Sequence, residues 1–246
     1  MVVNIKNKKA SHVGIVLSFV IFVTFLIFLY TIIEPATRVE RGKEKTLELL
    51  VPELTLKLSE KMTTVTIDLT NYSEAGDKNC ITLPSITGLS DMGVVTKNQE
   101  ELIIPSTLRD DNTTDIGWKQ GDNPSLKLYY SKELVNLDSE KACETVNKLD
   151  DFKYGLIKTN TYVFESKIND TLDSLKENGQ YYEELKGNLN IPLGDEFGFG
   201  FRNNDGETFE TEEREGLTNI YVEEIPIQYI DSEANIKSGF LIVKVW

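Results

Sequence analysis

The longest apolar stretch of the chain lies near its N-terminus. From Val13 to Ile33 there are 21 consecutive residues without a charged side chain, and Ser18 and Thr24 are the only polar side chains in the middle of the stretch. At about 1.5 Å per residue, a helix of this length is roughly 30 Å long, which matches the hydrocarbon core of a bilayer. The pattern therefore predicts a transmembrane helix over residues 13–33.

The next segment, residues 34–61, is rich in charged residues and in good helix formers. Pro52 is expected to interrupt the helix, because proline lacks a backbone donor. Residues 53–62 fit a helix through the spacing of Leu54 and Leu58, and they also fit a strand through their alternating leucines. We interpret residues 34–61 as a helical stalk, and an ordinary juxtamembrane linker is the alternative that explains the same composition.

From residue 62 onward the pattern changes to the alternation of strands, which extends through a domain of residues 62–246. Strands are predicted at residues 62–70, 79–84, 101–105, 126–131, 196–202, 207–211, 219–230 and 236–246. The stretch 196–202 places three Phe on one face, which we assign to core packing rather than to an aromatic binding surface. Residues 203–206 predict a hairpin turn. The last strand is almost entirely apolar, so we expect it to be central in its sheet.

Residues 160–188 form the best helical region of this domain. Their apolar side chains share one connected helix face: Val163, Ile168, Leu172 and Leu175. Thr159 or Asn160 is the predicted N-cap. Asn178 and Gly179 break the region, which gives either one bent helix or a helical hairpin. The predicted fold class is α+β, with an N-terminal transmembrane helix and a domain dominated by antiparallel sheet.

The charge of the chain is strongly acidic and unevenly placed. The formal net charge is −14, and because residues 1–34 contain three lysines and one glutamate, the remainder carries −16. A domain this acidic has no basic stripe and repels the phosphate backbone, so nucleic acid is not an expected partner. A solvated surface that resists aggregation explains the acidity.

The orientation of the chain in the membrane is not decided by its basic residues, since similar numbers flank the apolar stretch on both sides. The leader, residues 1–12, is short and basic, which favours a cytoplasmic N-terminus. Three glycosylation sequons begin at Asn71, Asn112 and Asn169. We therefore expect the membrane as a partner, and we expect a single-pass protein with its large domain outside the cell.

The chain has two cysteines, Cys80 and Cys143, and both lie in the large domain. In an extracellular domain a disulfide is the expected state, and the closed loop is worth about 4 kcal/mol in the chain-entropy model. Two unpaired buried thiols are the alternative. Cysteine and histidine are too scarce for a zinc cluster.

The only histidine of the chain, His12, stands next to the apolar stretch. The large domain therefore lacks the residue that Ser-His-Asp and Cys-His sites require. Pairs of acidic residues occur, but so many acids make accidental pairs certain. We predict that the protein is not an enzyme and that it uses no metal and no cofactor.

Residues 110–124 are polar and contain several acids, but they do not match the EF-hand pattern. We interpret this segment as a solvated surface loop, and a calcium site is the alternative.

The residues before the apolar stretch, Lys8, Lys9, Ala10 and Ser11, resemble the class III signal of archaeal type IV pilins and pilin-like proteins. The resemblance implies that a prepilin-type peptidase cuts between Ala10 and Ser11. The family usually has Gly at the position of Ala10, and many members carry an acid where Ile15 stands. An uncut membrane anchor is the alternative explanation for these residues. Residues 196–201, 222–231 and 238–246 also resemble segments of single-pass archaeal surface proteins, to which we attach no activity.

The resemblance implies a pilin-like structural subunit of a cell-surface filament, which self-assembles through its apolar helix. The alternative is a monomeric anchored ectodomain that acts as a binding or accessory module. A carbohydrate-binding or hydrolytic domain is a third hypothesis, which glycan binding by residues 63–246 would support.

Overall fold

The computed structural model describes residues 9–70, 79–118, 122–137, 143–146, 152–177, 179–211 and 220–246. Its helices are α1 (Lys9–Lys57), α2 (Glu165–Glu177) and α3 (Gly179–Asn188). Its strands are β1 (Ser59–Asp68), β2 (Ile81–Leu83), β3 (Gly93–Lys97), β4 (Ile103–Ile104), β5 (Ser106–Leu108), β6 (Thr114–Ile116), β7 (Ser125–Ser131), β8 (Glu144–Thr145), β9 (Lys153–Phe164), β10 (Phe197–Arg202), β11 (Thr208–Glu210), β12 (Tyr221–Ile230) and β13 (Ile236–Val245). The α+β class agrees with the prediction.

Helix α1 is continuous over 49 residues. The prediction that Pro52 interrupts it was wrong. Pro52 is exposed, so the carbonyl group that loses its donor faces solvent and can bond to water. The helix ends at Lys57, and residues 59–61, which were assigned to the stalk, begin β1 instead.

Nine strands form the main sheet, in the order β11-β10-β13-β12-β9-β1-β7-β3-β4. A second sheet has the order β5-β6-β2-β8. Most described pairs are antiparallel, as predicted, but β12 pairs with β9 in parallel and β2 pairs with β8 in parallel. The last strand, β13, lies between β10 and β12, which confirms its predicted central position.

The predicted helix start near residue 160 was wrong, because β9 extends to Phe164. This strand pairs with β1 from Lys153 to Val163, and the long ladder outweighs the helical spacing of its last residues. Val163 is therefore a strand residue, whereas Ile168 and Leu172 are buried on α2 as predicted. The region contains two helices, α2 and α3, and both contribute side chains to the same buried cluster.

Three buried clusters form the core of the described residues. The first, which we call the helix core, joins the C-terminal half of α1 to α2, α3, β10, β12 and β13. The three Phe of β10 belong to it: Phe197, Phe199 and Phe201. The second cluster lies between β1, β3 and β7 and the smaller sheet. The third is small and lies where β12 meets β9.

The predicted surface loop at residues 110–124 is partly core. Residues 114–116 form the buried strand β6, and Trp118 is only 3 % exposed. Asp115 is buried too, where it pairs with Arg109 and accepts a 2.6 Å hydrogen bond from the Thr82 hydroxyl. Asp115 therefore has a structural role, because its carboxylate is bound by Arg109 and Thr82 within the domain.

Candidate functional site

The N-terminal half of α1 presents apolar side chains on every side. The segment Val13–Glu34 is long and apolar enough to span a membrane or to act as a signal sequence. No residue in the most apolar part of this segment is buried inside the protein. Its exposed large side chains range from 46 % exposed at Leu26 to 70 % at Val13. Exposure of such a large apolar surface to water is energetically unfavourable, so we expect lipid or protein to cover it.

The threonine hydroxyls of this segment bond within the helix. The Thr24 hydroxyl lies 3.0 Å from the Val20 carbonyl oxygen and 2.9 Å from that of Ile21. The Thr31 hydroxyl donates to the Phe28 carbonyl at 2.8 Å. Satisfied hydroxyls of this kind are compatible with an apolar environment.

The C-terminal half of α1 is amphipathic and packs into the helix core. Its buried leucines, together with Leu58 directly after its end, are spaced three and four residues apart: Leu47, Leu50, Leu54 and Leu58. Leu49 and Leu56 lie on the opposite side, each 67 % exposed. The predicted helical stalk is therefore helical up to Lys57, and its C-terminal part packs against the domain.

A polar contact also attaches α1 to the domain, at a point of the helix that is nearer to the apolar segment than the buried leucines are. The ammonium group of Lys43 pairs with the carboxylate of Asp195, and the Thr46 hydroxyl donates to the same carboxylate at 3.1 Å. Both members of the ion pair are largely buried, with side chains 15 % and 19 % exposed. We call the contact of Lys43 and Thr46 with Asp195 the helix latch. It joins residues about 150 positions apart in the chain, so the sequence alone gives no signal for it.

The disulfide predicted for the large domain is present. Cys80 and Cys143 are bonded, with their Cα atoms 4.8 Å apart. The bond lies beside β2 and β8, where the Glu144 amide also donates to the Cys80 carbonyl at 3.1 Å. It therefore stabilises one edge of the smaller sheet.

The other predicted sites are placed as follows. Lys9, Ala10 and Ser11 form the start of α1. Asn112 lies in a tight turn with a φ of 62°, and Asn169 is exposed on α2. Lys8 and Asn71 lie outside the described residues.

A buried polar cluster, which sequence reasoning missed, lies near the junction of β12 and β9. Lys97 is 1 % exposed, its ammonium group donates to Asn235 Oδ1 at 2.6 Å, and it stands 5.6 Å from the centre of the Tyr129 ring. Burial lowers the pKa of Lys97. Asp231 anchors the other side of the cluster by accepting hydrogen bonds from the backbone amides of Glu233 and Asn235.

The carboxylate of Asp231 also forms an ion pair with the ammonium group of Lys237, at a distance of 3.0 Å. Burial alone would raise the pKa of Asp231, but the hydrogen bonds from Asn235 and the Lys237 ion pair outweigh it and hold the pKa below its usual value. Each group has a structural partner, so the cluster closes the β12–β13 turn and ties it to β3. The Asp and Asn at the two ends of this turn were the available sequence signal, since both residue types cap turns.

The described residues do not bring together a group of three or more His, Cys, Asp or Glu that could hold a metal ion. An open groove of about 680 Å³ lies between α1 and the start of β12, lined in part by Glu44, Glu48 and Glu223. Its charged lining is mostly acidic, and the described residues that line it include no Ser, Cys or His. The most distinctive feature of the described chain is therefore the exposed apolar half of α1.

No family model matches the chain, and neither the curated proteins nor the solved structures contain a significant match to it.

Proposed function

We propose that this chain is a membrane-anchored, pilin-like structural subunit of a cell-surface filament. The observation that carries the proposal is the two-part character of α1. One half exposes apolar side chains on all sides. The other half packs into the domain and is attached to it by the helix latch. A rigid connection of this kind lets the domain and the apolar segment move as one unit.

The proposed mechanism follows from the hydrophobic effect. While the apolar half lies in a bilayer, lipid covers it. When the helix leaves the bilayer, other copies of the same helix must cover it, because each large side chain transferred from water gains about 1.5–3 kcal/mol. Processing between Ala10 and Ser11, which the signal-like residues suggest, would free the helix for this transfer. We assign no catalytic step to the domain.

We further propose that the N-terminus is cytoplasmic and that the large domain is extracellular. The short basic leader supports this orientation, and so does the Cys80–Cys143 disulfide, since disulfides persist mainly in oxidising compartments. The exposure of Asn169 on α2 agrees with a glycosylation sequon that is open to modification.

A monomeric anchored ectodomain is the second candidate, and a specific observation favours it. The small residues Gly14 and Ser18 lie at the N-terminal end of the apolar half, and from Phe19 to Ile33 the segment has no stripe of small residues. Such stripes commonly bring helices together in membranes. In this second function the apolar half stays in lipid and the domain acts as a binding or accessory module.

The test combines two measurements on the native protein. Mass spectrometry of the mature N-terminus should find Ser11 as the first residue, and a chain that starts at Met1 or Val2 would contradict processing. Purified surface filaments should contain the chain. Its absence from every filament, together with a monomer after detergent extraction, would overturn assembly and leave the anchored ectodomain.

A matched pair of variants sharpens the first measurement. Lys8→Gln combined with Lys9→Gln removes the basic pair of the signal-like motif, and Lys6→Gln removes a nearby lysine outside it. We expect the precursor to accumulate only in the double variant. Equal processing of both variants would show that the resemblance of these residues to a prepilin signal is accidental.

A further inference from the structure

A tight turn at Pro192–Asp195 carries the most exposed large apolar side chain in the described part of the chain. Leu193 is 102 % exposed, which means that it touches nothing else in the protein. The Asp195 amide closes the turn by donating to the Pro192 carbonyl at 3.1 Å, and Gly194 has a φ of 95°. A positive φ at the third position, with Leu193 at the second position outside the positive-φ region, is that of a type II turn, which glycine adopts without strain. Leu193 occupies the second position and projects from the tip.

This turn is held at its C-terminal end by two sets of contacts. On one side Asp195 belongs to the helix latch, through Lys43 and Thr46 of α1. Next to it, Glu196 and Trp246 exchange two backbone hydrogen bonds, of 2.9 and 3.0 Å. A leucine on a fixed turn loses little conformational entropy when something covers it, unlike a leucine on a loose loop.

The latch also fixes the height of the turn above the apolar segment. Lys43 follows Glu34, the last residue of that segment, by nine positions, which is about 13 Å along a helix. The polar headgroup layer occupies roughly 5–8 Å on each side of a bilayer. Leu193 lies two residues from Asp195, and two residues reach up to about 7 Å. The tip of the turn is therefore within reach of the headgroup layer.

The C-terminal end of strand β12 lies farther from the apolar segment than its N-terminal end does. Strand β12 begins beside Glu44 and Glu48, and it ends at Ile230, which pairs with Phe164. The Phe164 amide in turn donates to the Leu58 carbonyl at 3.1 Å. The distance from Glu44 to Leu58 is about 21 Å of helix. Ser232, in the turn after β12, is thus an exposed position remote from the apolar segment.

We propose that the Pro192–Asp195 turn is a lipid-contact point, at which Leu193 inserts into the headgroup layer of the membrane that α1 spans. The occupant is lipid because the turn is continuous, through the latch, with the apolar half of α1. Ile220 and Val222, at the same end of the sheet, are also exposed, at 37 % and 54 %. The inference rests on the anchoring part of the proposed function and does not require filament assembly.

The charges around this end define the kind of lipid surface. Glu44, Glu48 and Glu223 are exposed at the start of β12. Carboxylates at a membrane surface are repelled by anionic lipids. Lys45 lines the same groove and offsets part of this repulsion, so a phosphatidylcholine surface without net charge is the simplest probe of the contact.

The test uses the full chain in phosphatidylcholine nanodiscs that hold one copy each. Leu193→Cys carries an environment-sensitive fluorophore, and Ser232→Cys is the matched control, with labelling under conditions that keep the native disulfide intact. We expect a blue shift for the label at position 193 and a loss of its emission when lipids with a quencher near the headgroup are included. The label at position 232 should show neither change.

The outcomes separate the inference from the proposal on which it depends. If the chain enters nanodiscs and both labels behave alike, the lipid contact is wrong while the anchor stands. If the label at position 193 responds only when several copies share a disc, its occupant is another copy, and the lipid contact is again wrong. If the chain does not enter nanodiscs at all, the anchoring itself is overturned.

Discussion

The two halves of α1 contain similar apolar residues but meet different surroundings. Between Val13 and Ile33 the large side chains are exposed on every side of the helix. Between Thr46 and Leu58 four leucines are buried in the helix core, and only Leu49 and Leu56 remain largely exposed. The same helix thus passes from a surface that needs an apolar solvent to a surface that faces water on one side.

The residues between the leucines produce this difference. The second half interleaves its leucines with Glu, Lys and Thr, which form a polar face, whereas residues 13–33 include no charged residue. A helix with one apolar stripe packs against a single neighbour, and a helix that is apolar all round must be enclosed. We therefore expect substitutions in the two halves to damage different properties of the protein.

The largest effect is expected in the buried face of the second half. Leu54→Ala removes a fully buried side chain from the helix core, and we expect it to lower the free energy of unfolding by about 2–5 kcal/mol. The control Leu56→Ala lies two residues away on the exposed face and should change that free energy by about 0.5 kcal/mol or less. Denaturant unfolding of both variants in detergent measures the difference. Equal costs would show that this half does not pack as described.

A charge in the first half should damage insertion instead. Ile21→Lys places an ammonium group near the middle of the apolar segment, which costs about 2.5–3.5 kcal/mol in membrane insertion. The control Ile21→Leu should insert normally. Membrane fractionation measures insertion, and near-ultraviolet circular dichroism should show a native domain in both variants. A domain that unfolds in Ile21→Lys would contradict the separation of the two halves.

The helix latch connects the two halves, and its removal should have an intermediate effect. Asp195→Asn removes the charge that Lys43 and Thr46 share, at an expected loss of about 1.5 kcal/mol in the free energy of unfolding. Lys43→Met alone should cost a similar amount. Since both variants break one interaction, the double variant should cost less than the sum, as a double-mutant cycle measures. Strict additivity would mean that the pair contributes nothing.

The smallest effect is expected at Gly42, between the two halves. An added Cβ there meets nothing within 4 Å, so Gly42→Ala should stabilise the helix by up to about 1 kcal/mol. Gly194→Ala is the contrasting variant, because a φ of 95° strains any residue with a side chain. Thermal unfolding should move in opposite directions for the two. A loss of stability in Gly42→Ala would argue against a continuous helix at this point.

Local patterns predicted those parts of the fold whose signal is local. The charge-free stretch predicted the apolar half of α1, and the alternation of Phe197, Phe199 and Phe201 predicted a buried strand face. Strand β3 was missed because all five of its residues are buried, so it has no alternation to detect. The start of α2 was misplaced because β9 gains its stability from a ladder with β1, about a hundred residues earlier in the chain.

The candidate site was predictable to a similar degree. The apolar surface of α1 follows directly from composition, and the disulfide follows from the number of cysteines. The attachment of the helix to the domain does not, since the latch and the Lys97–Asn235 contact join residues far apart in the chain. Such pairs have no periodic signal, and only the tertiary fold brings them together.

Site-directed spin labelling along α1 can show whether one continuous helix has two environments. Single cysteines from residue 13 to residue 58 would be labelled in nanodiscs, and their collisions with oxygen and with a water-soluble nickel complex would be measured. We predict high oxygen access from residue 13 to residue 33, rising toward the middle of the segment and without a helical period. From residue 46 to residue 58 we predict a 3.6-residue period in nickel access, with maxima near Leu49 and Leu56. A periodic pattern in the first segment, or uniform access in the second, would contradict the account.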